Sequence, residues 1–243
     1  MFDHVTIRAA DRGASERFYD TVLQTLGIDR SYRTNTITMW RDFIVTDADD
    51  AHPVTRRLHI GFAAPDHARV DAFWQAGVDA GYRDDGKPGP RPEYGEDYYG
   101  GFLLDPDGNS AEACQHDNLR RSGGIIDHLW IRVADLSKSR AFYDTIAPPA
   151  AMRKDHDSAE CVQYRGQTGS FSLLPGEPTK YLHMAFPTHD DSDVQRFHEA
   201  GTSAGYRSNG EPGERARYHA GYYAAFVLDP DGNNIELVNH HRP

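Results

Sequence analysis

The strongest constraint on this chain is that its sequence repeats at an offset of 124 residues (236 − 112). Tyr98-Tyr99-Gly100-Gly101-Phe102-Leu103-Leu104-Asp105-Pro106-Asp107-Gly108-Asn109-Ser110-Ala111-Glu112 returns as Tyr222-Tyr223-Ala224-Ala225-Phe226-Val227-Leu228-Asp229-Pro230-Asp231-Gly232-Asn233-Asn234-Ile235-Glu236. Phe18-Tyr19-Asp20 returns as Phe142-Tyr143-Asp144, Gly81-Tyr82-Arg83 as Gly205-Tyr206-Arg207, and Pro88-Gly89 as Pro212-Gly213. The offset therefore reads as running along the chain without a gap. Such a period lies far outside the roughly 20–50 residues of stacked solenoid repeats, so a duplicated domain is expected rather than an array. The 243 residues divide into a domain over 1–117, a polar glycine-ended linker over 118–124, and a second domain over 125–243. Each copy is long enough to bury its own core.

Within a copy, the repeated stretch reads as strand, tight turn, strand. Asp105 can bond back to its own backbone, Pro106 presets φ, and Gly108 relieves the last turn position. Past the turn, alternation places Ser110, Glu112 and Cys114 on one face and Ala111 and Ala113 on the other. A carboxylate in mid-strand needs a partner.

Earlier in the copy, Asp3 to Arg8 alternates, with Val5 and Ile7 on one face and His4, Thr6 and Arg8 on the other. A helix follows, N-capped by Asp11, with Phe18, Val22 and Leu26 in its apolar stripe and an end near Gly27. Ser31 to Thr46 reads as two or three short strands. Arg57 to Phe62 then opens a second strand-helix unit, with a helix capped at Asp66 and carrying Val70, Phe73, Trp74 and Gly77. Asp84 to Gly95 is dense in Gly and Pro and is expected to be a loop, long enough to form a lid or rim.

The net charge of −11 and the lack of a dense Lys/Arg run argue against a nucleic-acid partner. Cys114 and Cys161, the only cysteines, do not occupy matching positions, so no disulfide framework is expected. No apolar run approaches membrane length, and Met1 to His4 lacks the look of a signal peptide, so the expectation is a cytoplasmic protein with no membrane partner.

Three of the histidine positions recur at the period: His4 with His128, His59 with His183, and His116 with His240. Two histidines and one carboxylate per copy are what a divalent cation needs when some coordination positions stay open for substrate. The candidate metal ligands are therefore His4, His59 and Glu112 in the first copy and His128, His183 and Glu236 in the second. Tyr98 and Tyr222, by strand parity, are candidates for substrate contact, as are Arg91 and Arg215 in the Gly/Pro loop. Arg8 and Arg132 share the face of the first histidine, where they could meet a ligand carboxylate or pair with a structural acid.

His-Val-x-Ile-x-x-x-Asp before a helix with Phe-Tyr, then Leu-His-Ile-x-Phe, then Phe-x-Leu-Asp-Pro-Asp-Gly-Asn-x-x-Glu, resembles the vicinal oxygen chelate superfamily over essentially the whole chain. That group includes glyoxalase I, fosfomycin-resistance transferases, extradiol dioxygenases and bleomycin-binding proteins. The resemblance implies an α+β fold in which tandem vicinal oxygen chelate domains, each built from paired βαβββ modules, curl into open barrel-like sheets. It also implies a divalent metal (Fe, Mn, Zn, Ni or Co) on the concave face, held by the six residues named above. The activity implied is glyoxalase-like or dioxygenase-like, as a lyase, isomerase or dioxygenase, on a small molecule that chelates the metal through adjacent oxygens. The alternative is a non-catalytic, bleomycin-resistance-like binder of a small molecule or drug. The assembly implied is a monomer with an internal pseudo-dimer, or a homodimer.

Two departures narrow the resemblance. Glyoxalase I is expected to carry a fourth ligand, a Glu on the last strand of the first module, and neither Asp42-Phe43-Ile44-Val45 nor Ser170-Phe171-Ser172-Leu173 offers one at the matching place. Extradiol dioxygenases carry a Tyr where this chain has Phe102 and Phe226. Because the ligands occupy equivalent places in both copies, a site could form within one copy or across the two. The crossed sets would be His4 with His183 and Glu236, and His128 with His59 and Glu112.

Overall fold

A computed structural model describes residues 1–117 and 124–241; the linker expected over 118–124 lies outside the described residues except for Gly124. The chain runs through four βαβββ modules. The first holds β1 (His4–Ala9), α1 (Arg12–Leu23), β2 (Tyr32–Arg33), β3 (Ile37–Trp40) and β4 (Phe43–Asp47). The second holds β5 (Leu58–Ala63), α2 (His67–Asp79), β6 (Arg83–Pro90), β7 (Tyr99–Leu104) and β8 (Ser110–Gln115). The second copy supplies β9 (Ile126–Val133), α3 (Leu136–Ile146), β10 (Arg153–Asp157), β11 (Val162–Arg165) and β12 (Ser170–Pro175). It ends with β13 (His183–Thr188), α4 (Asp191–Ser203), β14 (Ser208–Glu214), β15 (Tyr223–Leu228) and β16 (Asn234–Asn239).

The strands assemble into two eight-stranded sheets, in the orders β14-β15-β16-β13-β1-β4-β3-β2 and β10-β11-β12-β9-β5-β8-β7-β6. Each sheet therefore takes one module from each copy. The antiparallel seam of the first sheet pairs His4 with Ala185 and Thr6 with His183, and that of the second pairs His59 with Trp130 and Gly61 with His128. Helices follow the opposite rule: α1 packs on α2 and α3 on α4, within a copy. A single apolar cluster, with Phe18, Tyr19, Phe43, Phe62, Phe142, Tyr143, Phe171 and Phe186 at its centre, fills the space between the layers.

The helix starts are those the sequence predicts. Asp11 accepts from the Ala14 N–H at 3.0 Å and Asp66 from the Arg69 N–H at 2.9 Å, satisfying donors that the first turn leaves free. The helix tyrosine of the Phe-Tyr-Asp repeat reaches the other sheet: Tyr19 donates to Asp105 Oδ2 at 3.0 Å and Tyr143 to Asp229 Oδ2 at 3.3 Å. The Asp-Pro-Asp-Gly turns close as expected, with Gly108 at φ 82° and Gly232 at φ 88°.

Two expectations are corrected. The 124-residue offset is not free of gaps: Trp40 and Tyr164 occupy one position, yet Phe43 pairs with Val5 as Phe171 pairs with Leu129, an offset of 128 (171 − 43). Four more residues separate Tyr164 from Phe171 than Trp40 from Phe43, and four fewer separate Phe171 from Leu182 than Phe43 from Leu58. Surface turns absorb such changes at little entropic cost. The Gly/Pro-rich stretch is also not a loop throughout, because Arg83–Pro90 forms β6, an edge strand paired with β7. Register slips around Gly86 accommodate the prolines, which an edge strand tolerates because its outer N–H groups need no partner. Beyond Pro90 the stretch is a loop as expected.

Asn109 fastens the turn to the start of β5. Its Oδ1 accepts from the Leu58 N–H at 3.1 Å, and its Nδ2 donates to the Thr55 carbonyl and to Asp105 Oδ2, both at 3.1 Å. Asn233 repeats the arrangement with Leu182, Thr179 and Asp229. Asn109→Ala strands buried backbone groups and should cost about 2–4 kcal/mol, lowering the urea midpoint with the m-value unchanged.

Candidate metal centres

The crossed seams decide which residues meet. Across three strands of the first sheet, His4, Ala185 and Glu236 form one row and Thr6, His183 and Asn234 the next. In the second sheet the rows are His128, Gly61 and Glu112, then Trp130, His59 and Ser110. Opposed residues share a face of the sheet, so each row pair directs two imidazoles and one carboxylate to the same side. The middle residue, alanine or glycine, forms a floor beneath them. A Cβ added to Gly61 would lie 2.3 Å from His128 Cε1, so glycine clears space for that ring.

The result is two matching clusters. In the second sheet, His59 Nε2 lies 3.0 Å from Glu112 Oε2 and 3.2 Å from His128 Nε2, and His128 Nε2 is 3.2 Å from Glu112 Oε2. In the first sheet, His183 Nε2 lies 3.0 Å from both His4 Nε2 and Glu236 Oε2, with His4 Nε2 3.7 Å from that oxygen. All six sequence-predicted ligands are thus placed in clusters, and in the crossed arrangement.

The donor sets fit a divalent cation. Ligands about 2.1 Å from a metal lie about 3.0 Å apart at right angles and about 3.4 Å apart in a tetrahedron, which brackets most of these separations. Two imidazole Nε2 atoms at 3.0 Å would repel through their lone pairs unless a proton or a cation lies between them. Among the described residues no fourth ligand joins either cluster: Ser170 pairs beside His128, and Ile44 lies opposite Thr6.

Around each cluster a set of groups orients the ligands. Asp127 Oδ2 is 2.8 Å from His128 Nδ1 and 3.1 Å from His116 Nε2. In the other sheet Asp3 meets His4 Nδ1 at 2.8 Å and His240 Nε2 at 2.7 Å. A carboxylate on Nδ1 fixes the tautomer that frees the Nε2 lone pair. His59 Nδ1 lies 3.1 Å from Ser110 Oγ, and His183 Nδ1 lies 2.6 Å from the Asn234 amide. These partners escape the ligand pattern itself, although the Asp-His pairs at 3–4 and 127–128 and the recurring His116 and His240 are visible in the sequence.

Tyr98 and Tyr222, the expected substrate contacts, bond to the cluster carboxylates. Tyr98 donates to Glu112 Oε1 at 2.8 Å and Tyr222 to Glu236 Oε1 at 2.6 Å, so each phenol steers its carboxylate's other oxygen toward the histidines. Arg91 stacks over Phe102 at 5.2 Å and donates to the Lys87 and Pro90 carbonyls; Arg215 stacks over Phe226 at 5.5 Å. Neither Arg8 nor Arg132 forms an ion pair among the described residues.

The protonation pattern without a cation is asymmetric. Burial lowers the pKa of His59. Burial also opposes charge on His128, but bonds to Asp127, Cys114 and Glu112 outweigh it and hold that imidazole well above its ordinary value. Glu112 is pulled down to about 2, because its bonds to His128 and His59 outweigh the burial that would raise it. The first sheet follows suit, with His4 raised, through Asp3 and Glu236 against burial, and His183 lowered by burial.

The two centres differ in their surroundings. Cavities of about 970 Å3 and about 450 Å3 flank the His59/His128/Glu112 cluster, and Tyr94, Trp130 and Leu174 line both.

Residues 125–237 match the sequence model of the Glyoxalase/Bleomycin resistance protein/Dioxygenase superfamily. The first copy repeats the same motifs and the same module order. The second copy thus carries the superfamily's sequence pattern. Glyoxalase I from Zea mays superposes with a TM-score of 0.69 at 19% identity, covering 98% of this chain and 92% of that one. Its V278E mutant gives 0.73 at 17% identity, with 98% and 92% covered. A putative dioxygenase from Bacillus subtilis subsp. subtilis str. 168 gives 0.67 at 14% identity, covering 99% and 85%. At these identities the likeness is one of fold. No curated protein matches the chain by sequence. No described helix is long and apolar enough to cross a membrane.

Asp127→Asn should retain the hydrogen bond to the imidazole but lose the charge that fixes it. We expect divalent-cation affinity at the His59/His128/Glu112 cluster to fall about 10–100-fold by calorimetry, with the other cluster unchanged.

Proposed function

We propose that the chain is a divalent-metal-dependent enzyme of this superfamily, acting on a small molecule that presents two adjacent oxygens to the cation. The observation that carries the reading is the pair of matching two-histidine, one-carboxylate clusters whose Nε2 and Oε2 atoms converge above a glycine or alanine floor. Three donors on one side leave adjacent positions free, which suits a bidentate ligand. A four-ligand glyoxalase I arrangement is not supported, since neither cluster has a fourth donor among the described residues.

In this reading His59, His128 and Glu112 would hold one cation and His4, His183 and Glu236 the other. A bound divalent metal would supply Lewis-acid stabilisation of an oxyanion on the substrate. The chain's own residues do the rest. Asp127 and Asp3 keep two of the ligand imidazoles in the Nδ1–H tautomer, and Tyr98 and Tyr222 hold the carboxylates in place. Arg91 at the rim of the 450 Å3 cavity beside His59, and Arg215 at the corresponding place, would meet an anionic part of the substrate.

Elemental analysis of protein purified from metal-replete medium should give about two equivalents per chain. Glu112→Gln and Glu236→Gln should each remove one, and the double variant both, with circular dichroism unchanged. Chelation should lower the Tm of the wild type, because a ligand of the native state is withdrawn. Less than one equivalent per chain, with a Tm indifferent to chelation, would sink the proposal.

Protons provide a separate check. His128 and His4 hold their protons more tightly than free imidazoles, so cation binding should release protons, read as a calorimetric enthalpy that varies with the buffer's ionisation heat. Lowering the pH favours the protonated imidazoles and should weaken binding.

A further inference from the structure

Behind the histidine that each cluster takes from its central strand, the two copies have not kept the same chemistry. His59 Nδ1 lies 3.1 Å from Ser110 Oγ, and that hydroxyl donates to Asp85 Oδ2 at 2.7 Å. The other sheet has no acid at these positions: Asn234 meets His183 Nδ1 at 2.6 Å, and Asn209 meets the Asn234 amide at 2.9 Å. At the 124-residue offset Asp85 corresponds to Asn209 and Ser110 to Asn234.

The two relays constrain their imidazoles differently. A hydroxyl carries one proton, and with that proton on Asp85 the Ser110 oxygen can only accept from His59. The imidazole proton is therefore held at Nδ1, and Nε2 turns a bare lone pair toward Glu112 Oε2, 3.0 Å away, where a cation would relieve the repulsion. An amide donates from one end and accepts at the other. Turning Asn209 and Asn234 over together preserves both contacts, so His183 is satisfied with its proton on either nitrogen. With the proton on Nε2, His183 donates to Glu236 Oε2 at 3.0 Å and offers no ligand atom there.

Charge acts in the same sense. Burial lowers the pKa of both imidazoles; beyond the clusters, the Asp85 carboxylate opposes that lowering at His59, and the Arg8 guanidinium adds to it at His183. Arg132, the counterpart of Arg8, shares a cavity with Asp85, so the carboxylate stands against a guanidinium there. The other arginines of that cavity are engaged, Arg57 with Glu177 and Arg91 with backbone carbonyls.

We infer that Asp85, acting through Ser110, is a positioning residue that makes the His59/His128/Glu112 centre the stronger of the two, so that the chain fills its centres in a fixed order and carries a single cation when metal is limiting. The inference rests on the metal-centre reading above. Partners behind a ligand are worth about 10–100-fold in metal affinity, and an exposed carboxylate such as Asp85, screened by water, belongs at the lower end of that range.

The test uses the full chain and Co2+ as the added cation, with one centre disabled at a time: Glu236→Gln leaves the His59 centre and Glu112→Gln leaves the His183 centre. Affinity is read by calorimetry and the ligand set by visible absorption of the bound Co2+. The Glu236→Gln protein should bind Co2+ about tenfold or more tighter than the Glu112→Gln protein. Adding Asp85→Asn to Glu236→Gln should weaken Co2+ by about tenfold and keep the absorption maximum, because the three ligands are unchanged; adding it to Glu112→Gln should change nothing. The reciprocal graft, Asn209→Asp with Asn234→Ser, carries the relay to the other centre and should tighten Co2+ in the Glu112→Gln protein by about tenfold, a gain that a poorly folded variant would not give. Absence of Co2+ binding from both single-centre proteins would overturn the metal-centre reading and this inference together. Equal affinities, the reverse order, or affinities unmoved by Asp85→Asn or by the graft would overturn this inference alone.

Discussion

Both clusters depend on two antiparallel seams, β1 against β13 and β5 against β9, in which main-chain hydrogen bonds join one copy of the sequence to the other. Once His4 stands opposite Ala185, and His128 opposite Gly61, the remaining ligands follow from strand periodicity. The carboxylate lies one strand over in the same row, and the second histidine two residues along the central strand. A slip of one residue in either seam would turn every one of these side chains to the opposite face. The helices oppose such a slip, because α1 and α2 pack together within a copy while their sheets belong to different pairings. Tyr19 and Tyr143, each anchored on the opposite sheet's turn, add to that lock.

Much of this was legible in the sequence. Asp11 and Asp66 as caps, the Asp-Pro-Asp-Gly turns, the four-module order and the six candidate ligands all rest on local chemistry that tertiary context did not override. What stayed hidden was non-local. Alternation tells which face Val5 or His59 occupies but not which strand lies beside it, and the two wirings place identical residue types at equivalent positions. The four-residue slip was masked because its two halves cancel between Trp40 and Leu58. The β6 strand was masked by Pro88 and Pro90, whose usual meaning as breakers lapses on a bulged edge. The parity of Tyr98 gave its face but not its reach to Glu112.

The clusters are also an electrostatic arrangement that the fold maintains at a cost. Glu112 and Glu236 are wholly enclosed, as is most of His128, and an isolated charge in such surroundings would be strongly destabilising. Each carboxylate is instead met by a phenol on one oxygen and by imidazoles on the other, and each Asp-His pair draws on a second histidine, His116 or His240. The chain of contacts extends furthest in the first sheet, where His219 Nε2 lies 2.8 Å from His240 Nδ1. Its counterpart position is Gly95, so polar wiring as well as aromatic lining separates the two surroundings.

The crossing of modules has a topological corollary. The first and fourth modules share a sheet, and Asp3 is bonded to His240, so the beginning and end of the described chain lie side by side. A circular permutant opened between β4 and β5 and closed across the old termini would therefore break no sheet pairing. In that rearranged gene product the modules of each sheet would be consecutive, and each triad would belong to one uninterrupted half. The interlaced molecule and a plain succession of two eight-stranded sheets differ only in where the polypeptide is opened.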